Sequence, residues 1–374
     1  MKTVAAVLRT MGAARPYADS RPLSVETVTL DPPGEGEVLV AVKAAGLCHS
    51  DLSVINGDRP RPMPMALGHE AAGVVEALGP GVGDLAVGDH VVMVFMPSCG
   101  HCEPCAGGRP ALCEPGAAAN GRGVLLGGDR RLHAGAETLN HHLGCSAFAG
   151  HAVVSRRSLV KVPEDLPFEQ AALFGCAVLT GVGAVVNTAA VRTGQSVVVV
   201  GLGGVGLSAV LGALASGASP VVAVDLSEDK LALARTLGPV RTVNAADADA
   251  VEQVRALTGG GADFAFEMAG AARALDAAWR MTRRGGTTVT AGLPPPEAAL
   301  AVNIVQLVAE ERTLKGSYIG TCVPGRDIPR FIRLFREGRL PVDRLLSGTV
   351  ALEEINTAFD ALAEGAAVRT VVRF

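Results

Sequence analysis

Four cysteines, Cys99, Cys102, Cys105 and Cys113, crowd into fifteen residues with the spacing C-x2-C-x2-C-x7-C, while the other four of the chain's eight are scattered. Backbone turns of that length can aim four thiolates at one tetrahedral ion. Four sulfurs close the coordination sphere, so the expected role is structural. An iron–sulfur cluster is the main rival, but the last gap is seven residues and no proline follows Cys113, unlike the common ferredoxin run. Idle or disulfide-bonded cysteines are the other alternative. In a reducing compartment the clustering favours metal, and zinc is the expected ion.

A second motif, Gly201-Leu202-Gly203-Gly204-Val205-Gly206, fits G-x-G-x-x-G, follows four valines and opens an apolar stretch. Glycines let backbone approach a pyrophosphate, and the free N–H groups and helix dipole face its charge. Asp225 stands nineteen residues after Gly206, at the end of the next apolar run, where a carboxylate can accept hydrogen bonds from a ribose diol. A 2′-phosphate there would meet like charge, at a cost of several kcal/mol (roughly, at intermediate dielectric). NAD is therefore expected over its phosphorylated form. The alternative is a glycine turn needed only for close helix packing.

A third set is dispersed: Cys48-His49-Ser50-Asp51, then Gly68-His69-Glu70, then Gly175-Cys176. Singly, a cysteine is usually a small buried hydrophobe and a histidine a satisfied hydrogen-bonding group. Spacing alone does not assemble these into a site.

The elements that must position these residues fall into two textures. From Met1 to about Cys176 short alternating strands, such as Val38 to Val42 and Val74 to Ala77, are broken by Gly/Pro-rich loops, which predicts a β-rich region. From about Gly194 apolar strands at Val197 to Val200 and Phe264 to Phe266 alternate with Ala/Leu-rich helical stretches such as Glu228 to Leu237, which predicts βαβ units on a parallel sheet. Helices are expected again at Ile328 to Glu337 and Leu352 to Glu364, with a terminal strand at Val368 to Val372. A length of 374 residues suits two domains of roughly 100 to 200 residues each. Nearly half of the chain is apolar, and the net charge of −4 is spread without a basic stripe, so nucleic acid is not expected as a partner. The uncharged stretch Val197 to Val224 is long enough to span a bilayer, but its glycine cluster and Ser219-Pro220 read as strand, turn, helix, strand. No membrane association is expected. The first residues read as a strand and not as a signal sequence, and a cytoplasmic protein is the simplest expectation.

Taken together, these residues resemble the zinc-dependent medium-chain alcohol dehydrogenases, in their liver-type and glutathione-dependent formaldehyde dehydrogenase branch. The resemblance runs over essentially the full length. It is carried by Cys48-His49-Ser50-Asp51, Gly68-His69-Glu70, the four-cysteine lobe, Gly175-Cys176 with Thr180-Gly181, Gly201 to Gly206 with Asp225 and Lys230, and Arg369-Thr370. It implies an α/β fold, a GroES-like β-rich catalytic domain over 1–177 and 321–374 with a Rossmann-fold doubly wound parallel sheet over 178–320. It implies two zinc ions per chain. Cys48, His69 and Cys176 would hold the catalytic one and leave a fourth position open, with Glu70 behind it as a transient ligand. Asp51 would orient His69 and Ser50 would accept the alcohol proton. His49 and Arg369 would lie near the pyrophosphate, Lys230 on the adenosine ribose, and Thr180 and Val205 against the nicotinamide. Phe95, His142 and Leu143 would line the substrate pocket.

The chemistry explains the parts. Hydride leaves an alcohol readily only as its oxygen loses the proton. Zinc lowers the pKa of a bound water from about 15.7 to about 7, and a comparable fall on an alcohol is worth roughly 12 kcal/mol. A side-chain base alone contributes about 10²- to 10⁴-fold.

Two positions depart from the family pattern. Ser53 stands where the liver-type proton relay ends in histidine. Ala117, four residues after Cys113, stands where the glutathione-dependent enzymes carry an arginine for the substrate's carboxylate. Losing that cation removes a charge-assisted contact. The expected substrate is therefore a primary alcohol or aldehyde, bulky or aromatic ones included. A thiol-adduct formaldehyde dehydrogenase and a nonenzymatic dinucleotide-binding zinc protein are the alternatives. The long insertion Glu114 to Gly144 implies a homodimer joined through the segment around Ala301 to Ser317. Cys145 and Cys322 have no assigned role.

Overall fold

Alternation of small apolar and polar residues makes the first half of the chain strand-rich. Its strands are β1 (Lys2–Leu8), β2 (Leu23–Leu30), β3 (Glu37–Gly46), β4 (Met65–Ala66), β5 (Ala71–Leu78), β6 (His90–Met93), β7 (Leu132–Ala134), β8 (Glu137–His141), β9 (His151–Ser155) and β10 (Leu159–Lys161). Short helices punctuate them: α1 (Tyr17–Ser20), α2 (His49–Ile55), α3 (Glu103–Ala106), α4 (Glu114–Arg122) and α5 (Phe168–Leu173). The strands β1, β2, β7, β8 and β4 close into a barrel in that order. Val7, Val28, Leu30, Leu125, Leu132, Leu139 and Val153 pack together as its dry core. This is the computed structural model of the chain, and it describes residues 1–374.

The glycine motif introduces the second texture. After α6 (Ala177–Gly183) come β11 (Val197–Val200), α7 (Gly204–Ala215), β12 (Val221–Asp225), α8 (Glu228–Thr236), β13 (Val240–Asn244), α9 (Ala250–Leu257), β14 (Ala262–Glu267), α10 (Ala272–Met281), β15 (Thr282–Thr290), α11 (Ile304–Ala309) and β16 (Thr313–Gly316). All six strands pair in parallel, in the order β13-β12-β11-β14-β15-β16. That order reverses beside β11, the arrangement of a doubly wound dinucleotide-binding sheet. The four valines of β11 are buried on both faces, as a central parallel strand requires. The uncharged stretch 197–224 is thus β11, α7 and most of β12. No helix in the chain is long and apolar enough to cross a membrane.

The chain then returns through α12 (Pro324–Arg336), β17 (Gly348–Val350), α13 (Ile355–Ala363) and β18 (Thr370–Arg373). Strand β18 lies antiparallel to β3, pairing Val371 with Gly46, and so completes a sheet of order β10-β6-β5-β3-β18-β17 to which β9 adds through β3. Two compact units result. One comprises Met1–Cys176, Val323–Pro329 and Leu346–Phe374, the other Ala177–Cys322 and Arg330–Leu345. The sequence reading placed all of 321–374 with the first domain. Arg330–Leu345 instead groups with the second unit, where Arg339 Nη2 donates to the Ala215 carbonyl at 3.4 Å and Arg344 Nη1 to that of Thr236 at 2.7 Å. The helix expected over Leu352 to Glu364 starts as a 3-10 turn, Leu352–Glu354, before α13.

Candidate active site

Strand β3 ends at Gly46, and two residues later Cys48 takes an extended conformation (φ −130°, ψ 149°) as the N-cap of α2. The first turn of that helix is His49, Ser50 and Asp51. Helical spacing sends Asp51 inward with Leu52, Val54 and Ile55, leaves His49 on the exposed side and Ser50 half-buried. His69 and Glu70 sit between β4 and β5. Gly68, before them, adopts φ +93°, and a Cβ there would collide with the Phe148 backbone nitrogen. Only glycine serves at that point, so the chain can carry His69 inward. Cys176 follows α5.

These segments bring one ligand atom each of Cys48, His69, Glu70 and Cys176 within 4.8 Å of one another, with all four residues buried. Cys176 Sγ lies 3.6 Å from His69 Nε2. On its other side His69 Nδ1 lies 3.1 Å from Asp51 Oδ1, which also accepts the Gly68 N–H at 3.1 Å. That bond assigns the imidazole proton to Nδ1 and frees the Nε2 lone pair to face the sulfurs. Phe95 meets His69 edge-on at 5.4 Å, and so does His142. Leu143 is buried beside them in sequence.

The electrostatics are those of a set of metal ligands. Both Glu70 carboxylate oxygens are buried without a hydrogen-bond partner, and burial pushes that carboxyl up to about 7 against the pull of Arg369. Hydrogen bonding with Cys176 and the nearby His69 and Arg369 hold the Cys48 thiol well below its ordinary value, whereas Cys176, facing Cys48 and buried, is held well above. Burial opposes the charged form of His69, but Asp51 and Cys48 outweigh it and raise its pKa. Two sulfurs, an imidazole nitrogen and a buried carboxylate fit a divalent metal of intermediate softness, zinc above all.

Arg369, expected beside a pyrophosphate, is buried immediately before β18. Its Nη1 donates to the Leu47 carbonyl at 2.9 Å and lies 3.4 Å from Glu70 Oε2, a contact the sequence does not signal.

The four-cysteine lobe lies apart from this group. The Cys102 and Cys113 sulfurs are 3.9 Å apart, too far for a disulfide, and all eight cysteines are free thiols. Backbone N–H groups of Cys99 and Gly116 donate to Cys113 Sγ at 3.1 and 3.4 Å, and that of Cys102 to Cys99 Sγ at 3.3 Å. Although burial opposes it, the amides of His101 and Cys102 bring Cys99 down to about 6, while burial holds Cys105 up at about 12. A cleft of about 740 Å³ borders Cys99 and His101, but none of its lining residues belongs to the Cys48 group.

In the second unit the glycine motif turns from β11 into α7, with Gly203 as N-cap. A Cβ on Gly206 would collide with the Gly201 carbonyl oxygen, which is why the helix can start so close to the strand. Asp225 Oδ2 accepts the Leu202 N–H at 2.6 Å and its Oδ1 the Ser227 N–H at 2.9 Å, so the carboxylate is fixed at the lip of the motif. A cleft of about 360 Å³ runs along Gly201, Asp225 and Leu226 and is also lined by Arg273, a cation the sequence reading missed because no local motif marks it. Lys230 stands in the first turn of α8, whose N-cap is Ser227. Thr180 is buried in α6 and Val205 half-buried at the start of α7. Cys322 is a packing residue, its Sγ 3.3 Å from the Leu179 carbonyl and 3.2 Å from Asn187 Nδ2.

Comparison with known proteins agrees with both halves. Residues 34–164 match the alcohol dehydrogenase GroES-like domain and residues 204–337 the zinc-binding dehydrogenase family. The chain belongs to the zinc-binding alcohol dehydrogenases. It is 40% identical over 377 residues, the whole of both chains, to a Mycobacterium tuberculosis protein assigned as alcohol dehydrogenase D. It is 35% identical over 364 residues to the S-(hydroxymethyl)glutathione dehydrogenase of Paracoccus denitrificans, covering 95% of this chain and 97% of that one. The crystal structure of benzyl alcohol dehydrogenase from Acinetobacter calcoaceticus superposes with a TM-score of 0.93 at 33% identity, over 100% of this chain and 99% of the other. As a zinc-binding alcohol dehydrogenase the chain is an oxidoreductase acting on small alcohols or aldehydes, and the Cys48 group and the four-cysteine lobe are the two ligand sets it offers to the family's metal.

Proposed function

We propose that this dehydrogenase interconverts primary alcohols, bulky or aromatic ones included, with their aldehydes, using NAD. The observation that carries the reading is the buried convergence of Cys48, His69, Glu70 and Cys176, with neither Glu70 oxygen hydrogen-bonded. Cys48, His69 and Cys176 hold a catalytic zinc with Glu70 behind it, and Cys99, Cys102, Cys105 and Cys113 hold a structural one. Bound at the first set, zinc supplies the Lewis acidity that makes an alcohol acidic, and NAD supplies the hydride acceptor.

This chain's own residues do the rest. Ser50 Oγ takes the alcohol proton from the first turn of α2. Asp51 holds His69 with Nδ1 protonated. Phe95 and Leu143 give the site an apolar wall suited to a ring or chain. Asp225 binds the ribose diol, with Lys230 nearby on α8 and Arg273 on the adenosine side of the 360 Å³ cleft. His49 and Arg369 neutralise pyrophosphate charge, and Thr180 and Val205 pack on the nicotinamide. The protein is a cytoplasmic homodimer. Its dimer contact is the free edge of β16 with α11, where Ile304, Val305 and Val308 are 70% to 76% exposed.

The Paracoccus relative acts on a glutathione adduct, but Ala117 here, exposed on α4, offers no cation to a second carboxylate. The deciding experiment combines metal analysis with NAD and NADP reduction across an alcohol panel, with and without glutathione. Two zinc ions per chain and NAD-linked turnover of benzyl-type alcohols without thiol are expected. An absolute need for glutathione refutes the substrate assignment.

A further inference from the structure

The turn after β8 adopts a costly backbone for no evident structural gain. Leu143, Gly144 and Ser146 all have positive φ, 51°, 67° and 51°, of which only the glycine is at ease. Such residues persist where the surroundings over-determine them, and they cluster at working sites. Here the turn closes on His142. The His142 N–H donates to Ser146 Oγ at 2.9 Å, and its carbonyl accepts from Cys145 and Ser146 at 3.0 and 3.2 Å.

The side chain so fixed is 1% exposed, and its Nδ1 lies 3.1 Å from Asp51 Oδ1. Asp51 is itself fully buried. Its carboxylate therefore stands between two imidazoles, His69 and His142, whose rings meet edge-on at 88°. A carboxylate offers about four lone-pair positions. Gly68 N–H, His69 Nδ1 and His142 Nδ1 all lie 3.1 Å from the same oxygen, Oδ1, so His142 packs against the very atom that orients His69.

We propose that His142 is a positioning residue for the metal centre: its Nδ1, held against Asp51 Oδ1, restrains Asp51 in the orientation that presents His69 Nε2 to the Cys48 and Cys176 sulfurs. His142 touches neither the metal ligand atoms nor the reacting oxygen in this role. The inference rests on the metal centre proposed above. It differs from the pocket-lining role that the sequence resemblance implies.

The test follows zinc release from intact wild-type, His142→Leu, His142→Asn and His142→Gln proteins into a chromogenic chelator, with total zinc measured beforehand. The asparagine amide can donate from about the place of Nδ1, whereas glutamine reaches towards that of Nε2. The leucine and glutamine variants should release the ion of the Cys48 group about 10- to 100-fold faster, with the four-cysteine ion leaving at the wild-type rate. The asparagine variant should restore slow release. Wild-type release from His142→Leu overturns the proposal, and so do equal rates for the asparagine and glutamine variants, which decide the matter if the leucine variant fails to fold. A wild-type chain holding a single zinc overturns the metal-centre reading and this inference with it.

Discussion

Replacing Asp225 by Asn removes one charge from the nucleotide-binding unit at nearly constant shape, and the structure sets what that should do. With an effective dielectric near 20, a unit charge 4 Å from a second costs about 4 kcal/mol, about a thousandfold in binding. A 2′-phosphate carries more than one charge, while the half-buried position of Asp225 admits some solvent screening. The wild-type preference for NAD over NADP in kcat/KM should accordingly be about 10³. The variant also loses something for NAD. The carboxylate serves the Leu202 and Ser227 N–H groups with one oxygen each, and an amide has a single acceptor oxygen. One N–H of the turn then faces an NH₂, and the ribose loses a charged partner, a loss of about 1.5 to 3 kcal/mol. The KM for NAD should rise about tenfold or more with little change in kcat, since no reacting atom is touched. Initial rates with each cofactor at saturating alcohol measure both effects. The NAD-to-NADP ratio should collapse to within about tenfold of unity, less steeply at high salt. An unchanged ratio, or a wild-type enzyme that already prefers NADP, refutes the reasoning.

Other perturbations separate the remaining roles. Ser50→Ala should slow turnover by about 10²-fold or more, while Ser53→Ala has a weak effect, because Ser53 Oγ is spent on the His49 carbonyl at 2.9 Å; equal losses in kcat would overturn that ordering. His141 is buried, accepts the Arg131 N–H on Nε2 at 3.1 Å, and is pushed down to about 3 by burial and by Arg130 and Arg131. Its folded pKa lies below its unfolded value of about 6.5, so the stability linked to it is complete above pH 6.5 and is lost as pH falls towards 3, by up to about 1.4 kcal/mol per pH unit. Urea titrations of wild-type and His141→Gln between pH 7 and 4 should show the variant losing stability less steeply on acidification, and parallel curves would count against it. Val305→Glu should convert the proposed dimer to monomers in light scattering. A dimer that survives the added charge places the interface elsewhere.

How much of this was legible in the sequence depended on distance along the chain. The four-cysteine lobe and the strand, glycine turn and helix at Val197 to Ala215 are local, so their spacing encodes their geometry. Asp225 is legible for the same reason, because the next parallel strand returns it to the turn. Cys48, His69 and Cys176 are not, since three separate loops bring them together and only the family resemblance linked them. The contacts of Arg369 with Glu70 and of His142 with Asp51 bridge about 300 and 90 residues, and no periodicity carries such pairs. The regrouping of Arg330–Leu345 was missed likewise, because it depends on which carbonyls its arginines reach in the fold.

The separation of the ligand sets along the chain also bears on the polymer physics of the protein. An ion held by Cys48 and Cys176 closes a loop of about 130 residues, whereas the four-cysteine lobe closes one of fifteen. On the chain-entropy account a cross-link restrains the unfolded ensemble by about 3 kcal/mol for the shorter loop and nearer 5 for the longer, the gap being small because the cost grows only with the logarithm of length. The ion assigned to chemistry therefore spans the longer loop of the two, and gathering its ligands costs the folding chain more entropy than closing the lobe that chemistry leaves alone.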